Sequence, residues 1–517
     1  MSPETQARSI EEFLADAPNS VVVEDGRVTF GLADARYSIS SEHGKCVLHL
    51  WSHERNVVRR VLDSELKGGV LRLSVQKFGQ PRPHTLEMCA DADQRTPTAK
   101  KSARSAYQRV LQRLLLRAFP GFALENDRLT SSMDLQHSFG PIYARGLIRK
   151  GLSAFAVLGV NSQEPQSAID AALTFGLLWL DLCRERHALR FAVEGLKLFL
   201  PPGTSAVTRS RLAHLGRAAK FEIYEVEERN DTAVQLEGHD LGNIATRLVR
   251  CPDHAAVRER LAEAIGKILA IVPSAEVSVL SATEISFRLH GLEFARASRS
   301  LAPTSFQQDK EITFGAGAYE TRLTIDNESQ FSELMKRVQR ARRSPGSNHD
   351  PLWRMQPERW LESLVIRDVR ALDSSLDPAF VYSQVPAFSA SDRAMIDILT
   401  VTHSGRLAVL ELKADEDIHL PLQGLDYWSR VQWHHQRGEF QQFAYFAGKQ
   451  LSDQPPLLFL VAPALRVHPT SDVLLKYISP DIDWQLLGVN EDWRGGIRVI
   501  FRKSNRQRRA AAGASHS

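Results

Sequence analysis

The chain is 517 residues long, which is above the size at which a single hydrophobic core stops growing, so the sequence predicts two to four domains. Its 43% hydrophobic and 24% charged residues are typical of an ordinary globular protein. The net charge of +4 is too small to indicate a nucleic-acid partner on its own.

Cysteine spacing and the apolar segments exclude several further classes. The four cysteines are widely scattered, without a CxxC pair: Cys46, Cys89, Cys183 and Cys251. This pattern argues against a disulfide framework or a zinc ribbon and predicts a cytoplasmic protein. The acidic first 18 residues lack the apolar run of a signal peptide. The longest apolar stretch, residues 168–183, is broken by two aspartates and is too short to cross a bilayer, so no membrane partner is expected.

Residues 1–135 predict a mixed α+β module. Strands are predicted at 46–52 and 69–79 with a helix between them, and a basic helix follows at 100–119.

Residues 136–235 predict an α/β module, because apolar strand patterns alternate with helix patterns. The predicted elements are, in order, a strand at 153–160, a helix at 165–187, a strand at 189–201, a helix at 204–216 and a strand at 220–228.

A third module, α+β, is predicted at 236–342. It has a helix at 253–270, strands within 276–289 and a helix at 328–343. The next segment, 343–351, is dense in Ser, Pro, Gly, Asn and Asp and predicts a linker. The sequence shows no internal repeat.

Three basic clusters are candidates for contacts with nucleic-acid phosphates: residues 100–119, 336–343 and 501–509. For any single cluster, a solvated helix face or an unstructured tail is the better interpretation. Residues 1–340 as a whole are candidates for recognition of substrate or of a protein partner.

The most regular element order lies in a domain predicted at 352–503. Its elements are a helix at 357–376, strands at 381–388, 394–401 and 406–414, a helix at 421–448 and a strand at 455–465. Residues 504–517 predict a disordered basic and alanine-rich tail. The expected fold class of the chain is therefore α/β, with mixed α+β modules in its N-terminal part.

The hairpin at 396–414 carries charge where ordinary core strands do not. The tripeptide HSG at 403–405 predicts a three-residue hairpin loop. A loop centred on its serine places Asp397 opposite Glu411, with Cβ atoms about 5 Å apart. Lys413 shares the face of Glu411, because alternate strand residues face the same side. Two carboxylates this close repel unless a positive group lies between them, either a lone lysine or a divalent cation such as Mg²⁺.

Both flanking helices offer polar residues to this face. Gln423 and Tyr427 are four residues apart in the following helix, and Glu358 and Glu362 are four apart in the preceding one.

This constellation resembles the PD-(D/E)XK nuclease superfamily, in which an acid at a strand end is followed by acid-x-Lys on the next strand. The segment QGLDY at 423–427 is similar to the Q-x-x-x-Y motif of its RecB-like members. The resemblance covers residues 355–465 and implies a restriction-endonuclease-like core, a central mixed sheet flanked by helices. The proline of the family motif is absent, since Ile396 precedes Asp397.

The resemblance implies a metal site. Asp397 and Glu411 would bind Mg²⁺, with Mn²⁺ as an alternative. The carbonyl of Leu412 and the carboxylate of Glu362 would be further ligands, and Glu358 competes with Glu362 for that role.

The resemblance also implies catalytic roles. Lys413 would orient or activate the attacking water and stabilise charge on the phosphate. Gln423 and Tyr427 would position the water or the backbone phosphate. The implied activity is in-line hydrolysis of phosphodiester bonds, with DNA favoured over RNA.

Two alternatives stay open at the level of sequence. The charged set can be a structural ion pair near a sheet edge, and the chain can be a non-catalytic nucleic-acid-binding or scaffold protein with a nuclease-like fold. Two similar tripeptide patterns carry no such set. Glu65-Leu66-Lys67 is interpreted as a solvated helix end, and Glu194 and Lys197 are three apart and face opposite sides of a strand.

Overall fold

The structure is a computed structural model that describes residues 2–17, 20–24, 27–32, 36–41, 44–51, 56–67, 69–77, 83–89, 97–237, 246–301, 308–316, 320–389 and 393–505. Its fold is mixed α/β, with several sheets flanked by helices, which confirms the predicted fold class.

The elements up to residue 251 are α1 (Pro3–Asp16), β1 (Val21–Glu24), β2 (Arg27–Gly31), β3 (Arg36–Ser40), β4 (Cys46–Trp51), β5 (Asn56–Lys67), β6 (Val70–Lys77), β7 (Pro83–Cys89), α2 (Pro97–Ala118), β8 (Ala123–Leu124), β9 (Ala144–Lys150), β10 (Ser153–Gly159), α3 (Gln166–Asp170), α4 (Ala172–His187), β11 (Ala192–Leu200), α5 (Ala206–Leu212), β12 (Lys220–Glu227), β13 (Thr232–Leu236) and β14 (Thr246–Leu248).

The remaining elements are α6 (His254–Arg260), α7 (Ala262–Ile271), β15 (Glu276–Ser281), β16 (Glu284–Leu289), β17 (Leu292–Leu301), β18 (Gln308–Phe314), β19 (Thr321–Arg322), α8 (Glu328–Ala341), α9 (Pro351–Arg354), α10 (Pro357–Arg367), β20 (Leu376–Ser389), β21 (Arg393–Thr402), β22 (Leu407–Leu412), α11 (Leu420–Gln436), α12 (Glu439–Gln442), β23 (Leu457–Pro463), α13 (Ser471–Tyr477), β24 (Trp484–Val489) and β25 (Val499–Ser504).

The chain folds as two compact units, each assembled from two separate stretches. The first unit combines Met1–Gln94 with Pro252–Met355, and the second combines Arg95–Cys251 with Gln356–Ser517. The first unit holds a seven-stranded antiparallel sheet in the order β2-β1-β7-β6-β5-β4-β3 and a five-stranded sheet that runs from β15 to β19.

This division differs from the domain boundaries expected from the sequence. The α/β module of 136–235 and the domain of 352–503 lie in the same unit. Helix α2 belongs there too, because its apolar residues Tyr107 and Leu111 pack with Phe155 of the sheet that follows. Of the tail expected at 504–517, residues 506–517 lie outside the described residues.

The prediction of a helix between the first two predicted strands is wrong, because residues 56–67 form strand β5. A β-bulge between Val61 and Asp63 shifts the strand's alternation, so Val61 and Ser64 are both buried. Buried residues three apart in the sequence are also typical of a helix. The tripeptide beginning at Glu65 is therefore in a strand and not at a helix end, and Glu65 pairs with Arg72.

Other predicted elements agree in type and differ in length. The sequence predicted one helix over 357–376. In the structure, helix α10 already ends at Arg367, and strand β20 begins at Leu376. Helix α11 ends at Gln436, since Gly438 adopts a left-handed conformation with a φ of 66° that breaks the helix. The order helix, three strands, helix, strand is confirmed.

The two sheets of the second unit share one topology. The first has the order β13-β12-β11-β10-β9-β8, and the second has the order β14-β20-β21-β22-β23-β24-β25. Strands β9 and β10 are antiparallel, β10, β11 and β12 are parallel, and β13 is antiparallel to β12. Strands β21 to β25 repeat these directions. The two sheets thus share strand order and strand directions although the sequence shows no internal repeat.

A continuous apolar core joins these two sheets through helices α4 and α11. It includes Leu158 and Leu198 from the first sheet and Val409 and Leu460 from the second. The site residues lie on the side of the second sheet that faces this helical layer.

Candidate active site

The hairpin formed by β21 and β22 has the register expected from the sequence. Ile398 pairs with Leu410, so the next pair along the strands is Asp397 with Glu411. The loop turns at Gly405, which has a φ of 85°, a conformation that favours glycine. The predicted cross-strand placement of the two acids is confirmed.

Glu411 is almost completely buried, and its two carboxylate oxygens differ in environment. Its side chain is 1% exposed, and Lys413 Nζ lies 3.1 Å from Oε1. Oε2 is buried and accepts no hydrogen bond from any residue that the structure describes. Asp397 lies opposite, and its Oδ2 accepts a hydrogen bond of 3.2 Å from the backbone N–H of Leu412. Glu411 Oε2 is therefore an orphaned oxygen, buried and without a hydrogen-bond donor among the described residues.

Burial and proximity make this pair electrostatically strained. Burial raises the pKa of Glu411 well above its usual range, and the charge of Asp397 raises it further, while Lys413 opposes the rise. Without a further positive group, the pair favours a bound proton. A cation that replaces this proton would therefore be bound in competition with it.

Lys413 is the positive centre of the site. Its Nζ lies 3.9 Å from both Glu358 Oε1 and Asp417 Oδ2, in addition to its contact with Glu411. Burial alone would lower the pKa of Lys413, but the charges of Glu411 and Glu358 outweigh burial and raise it. These neighbouring carboxylates therefore favour the charged form of Lys413.

The two acids of α10 occupy different places. Glu358 is half exposed and is the one near Lys413; burial raises its pKa, Lys413 opposes the rise and Asp397 adds to it. Glu362 is 3% exposed and is held by two side chains, since it accepts hydrogen bonds from Arg359 Nη1 at 2.7 Å and from Gln384 Nε2 at 3.1 Å. Of the two competing acids, Glu358 is therefore the one placed to complete the charged cluster around Lys413.

Helix α11 brings its polar face against the acid pair through a close approach at Gly424. A Cβ there would lie 3.5 Å from Glu411 Cβ and would overlap Leu460. Gln423 has a buried Oε1 that accepts no hydrogen bond within the described ranges. Burial raises the pKa of Tyr427, and the charges of Glu411 and Asp397 add to this rise, so its hydroxyl remains protonated.

These donors fit a hard divalent cation that keeps part of its water. Glu411 Oε2 and Gln423 Oε1 are oxygens in need of a positive partner, and Asp397 supplies a second carboxylate. Mg²⁺ is typically held by one or two carboxylates together with water and substrate phosphate. Among the described residues, no group of three or more His, Cys, Asp or Glu side chains is placed to hold a metal ion.

Two residues of this neighbourhood were missed in the sequence. Arg359 lies between the two acids of α10 and binds Glu362, and Gln384 binds the same carboxylate from strand β20. Gln384 has a φ of 53°, an uncommon conformation for a residue inside a strand, and it lies across from Asp397. The available signal was a glutamine in an otherwise apolar strand segment, VYSQVPAF.

Glu194 and Lys197, the second acid and lysine pattern noted in the sequence, each have ordinary partners in the structure. Glu194 accepts hydrogen bonds from Ser153 and Lys220, and Lys197 pairs with Glu222. These are ordinary ion pairs and hydrogen bonds within one sheet.

The part of the chain that the structure describes contains no helix long and apolar enough to cross a membrane. Neither a protein-family model nor a curated protein sequence matches this chain.

Proposed function

We propose that residues 356–505 form the catalytic part of a divalent-cation-dependent nuclease that hydrolyses phosphodiester bonds, with DNA as the favoured substrate. The proposal extends the resemblance to PD-(D/E)XK nucleases. One observation carries it: the orphaned, buried Oε2 of Glu411 lies beside a second carboxylate, Asp397.

A purely structural ion pair does not account for this arrangement. Lys413 satisfies Oε1 of Glu411, but Oε2 has no donor among the described residues, and Asp397 raises the pKa of Glu411 both by its charge and by a hydrogen bond between the two carboxyl groups. A buried oxygen that lacks a hydrogen-bond partner costs about 1–3 kcal/mol. Groups of this kind are concentrated at functional sites.

Each residue has a role that follows from its protonation state. Asp397 and Glu411 would hold Mg²⁺ or Mn²⁺, which when bound supplies a water of lowered pKa and neutralises charge on the phosphate. Lys413 is protonated, so it donates to the attacking water or to a phosphate oxygen. The protonated hydroxyl of Tyr427 would be a second donor. Gln423 precedes it by four residues in α11, so its amide would be offered on the same side of the helix.

The test compares cleavage of labelled single-stranded DNA, duplex DNA and RNA with and without Mg²⁺. Wild type is expected to cut at least one substrate in a Mg²⁺-dependent manner, and Asp397→Asn and Lys413→Ala are expected to lose activity. Matched controls are Asp377→Asn and Lys449→Ala. These two residues form a half-buried ion pair of 2.8 Å at the hairpin-loop end of the same sheet.

Equal cleavage by wild type and Asp397→Asn would contradict the proposal. Nucleic-acid binding without any cleavage would favour the non-catalytic alternative. Residues 1–340 are proposed to recognise substrate or a protein partner, and a cytoplasmic location remains part of the proposal.

A further inference from the structure

The second unit contains two stretches that repeat one element order as well as one sheet topology. We call residues 97–236 the first copy and residues 357–504 the second copy. In each, a helix precedes three strands, a long helix follows, and a strand, a short helix and two more strands complete the sheet. Helices α2, α4 and α5 thus correspond to α10, α11 and α13.

A glycine in the long helix aligns the two copies residue by residue. In α4, a Cβ on Gly176 would lie 2.7 Å from Leu196 Cδ2 and 3.0 Å from Leu198 Cδ2, and in α11 a Cβ on Gly424 would lie 3.2 Å from Leu458 Cδ1 and would overlap Leu460 Cδ2. Each glycine thus contacts two alternate leucines of one strand, and taking these in chain order aligns Leu198 with Leu460. Each helix therefore touches its sheet through a glycine placed over the same strand, β11 in one copy and β23 in the other.

Strand pairing then carries the alignment to the site. Leu198 pairs with Leu158 in the first copy, and Leu460 pairs with Glu411 in the second. On its other side, Leu158 pairs with Arg145 of β9. Arg145 therefore corresponds to Asp397, which lies opposite Glu411 in the second copy. The first copy thus has a leucine and an arginine where the second has its two acids.

The remaining site positions differ in the same way. Val160 lies two residues beyond Leu158, where the second copy has Lys413. Phe175 and Trp179 lie at the helix positions of Gln423 and Tyr427. All of the first-copy residues at these positions are apolar except Arg145.

Arg145 is buried and hydrogen-bonded through two of its three guanidinium nitrogens, while its Nε has no partner among the described residues. It is 2% exposed, and its guanidinium lies 4.4 Å from the ring centre of Phe139 and 5.8 Å from that of Trp179. It donates hydrogen bonds to the carbonyls of Gly140 and Ser132. A fixed cationic side chain and apolar neighbours leave no oxygen ligands for a metal ion at this position.

The two copies contact each other reciprocally. Gly216 N donates to Tyr477 O at 2.8 Å and Ser479 N donates to His214 O at 2.9 Å, an antiparallel bridge between the segments that follow α5 and α13. Such pairing of equivalent segments is what a two-fold axis produces.

Ion pairs across the same interface follow this pattern. Arg211 of α5 binds Asp426 of α11, with Nη2 to Oδ2 at 2.7 Å, and Lys476 of α13 binds Asp181 of α4. The short helix of each copy therefore holds the long helix of the other.

We infer that the first copy is a catalytically silent partner built into the chain, so the unit is a pseudo-two-fold pair with one cleavage centre. The inference rests on the proposed function for its catalytic part. A two-fold pair of active centres cuts both strands of a duplex, whereas a pair with one silent member cuts one strand per encounter. The unit is accordingly a nicking enzyme on duplex DNA.

The experiment uses the full-length chain and two probes. Calorimetry with Mn²⁺ is expected to give one bound ion per chain in wild type and none in Glu411→Gln. Supercoiled plasmid in excess over protein is expected to accumulate as nicked circles, with linear DNA appearing only after the nicked form. Trp179→Phe, in the silent copy, is expected to keep the nicking rate within about two-fold, whereas Tyr427→Phe lowers it.

The outcomes separate the two proposals. Two Mn²⁺ ions per chain of which Glu411→Gln loses one, or linear DNA formed at the same rate as nicked circles, would overturn the single-centre inference and leave nuclease activity standing. A single Mn²⁺ ion that Glu411→Gln retains would contradict the ligand role of Glu411 and with it both proposals. One Mn²⁺ per chain that is lost in Glu411→Gln supports a single centre even if plasmid is not the substrate. If neither Mn²⁺ binding nor cleavage occurs, the proposed function fails, and the single centre fails with it.

Discussion

Gly424→Ala is expected to disable cleavage while leaving the fold intact. The added methyl group would overlap Leu460 Cδ2 by about 1 Å, relative to the ~3.5 Å at which carbon atoms meet. Leu460 is fully buried, so helix α11 must move away from the sheet by a similar amount. This displaces Gln423 and Tyr427 from Glu411, and a misplacement of about 1 Å costs roughly 100-fold in rate.

The first copy provides a matched control for this substitution. Gly176→Ala places a methyl group 2.7 Å from Leu196 Cδ2 and 3.0 Å from Leu198 Cδ2 at the equivalent position of α4. Overpacking costs about 1–3 kcal/mol in either helix, and the gain in helix propensity offsets about 1 kcal/mol of it in both. We therefore expect similar losses of stability in the two variants.

Two measurements decide the matter. Urea unfolding gives the stability of both variants, and single-turnover cleavage gives their rates under conditions where each is folded. We expect a loss of about 100-fold for Gly424→Ala and less than two-fold for Gly176→Ala. If both variants lose activity equally, the effect is one of general stability, and the reasoning about close approach at Glu411 is refuted.

Three further predictions concern charge. Lys413→Ala is expected to reduce cleavage by roughly 10²–10³-fold while Mn²⁺ binding persists, since a donor to developing charge is lost; single-turnover rates and calorimetry check this, and an unchanged rate contradicts it. Because the pKa of Glu411 is raised in the folded state, the contribution of this group to the stability of metal-free wild type is largest below the usual glutamate pKa of about 4.3 and is lost as pH rises through the folded value. Thermal melts in EDTA from acid to alkaline pH should thus increasingly favour Glu411→Gln, and parallel curves would count against the buried charge. Arg211→Met leaves Asp426 unpaired in a largely buried place and is expected to lower the free energy of unfolding by about 3–5 kcal/mol in urea titrations, with recovery in the double variant that also carries Asp426→Leu.

The hairpin could be predicted from sequence because its geometry is local. A three-residue loop fixes the register of the strands on either side, so the pairing of Asp397 with Glu411 follows from counting residues. Side-chain alternation then places Lys413 beside Glu411, where the structure has it at 3.1 Å.

Features that depend on distant contacts could not be predicted. Strand β5 carries a bulge whose effect on alternation is set by its partner strand. The different surroundings of Glu358 and Glu362 depend partly on Gln384, a residue of another element that donates a hydrogen bond to Glu362. The repeat was invisible for a related reason: the two copies share hydrogen-bond pairing and not residue types.

Comparison with the first copy indicates whether the fold needs an acid in this buried strand. Leu158 is 0% exposed and Glu411 is 1% exposed at equivalent positions of the two sheets, so the architecture accepts an apolar side chain there. Replacing buried charge by apolar residues is commonly neutral or stabilising, by about 1–4 kcal/mol. The fold itself therefore does not require Glu411. Its retention beside Asp397, with one oxygen that no described residue satisfies, favours a role in binding a cation over a role in holding the sheet together.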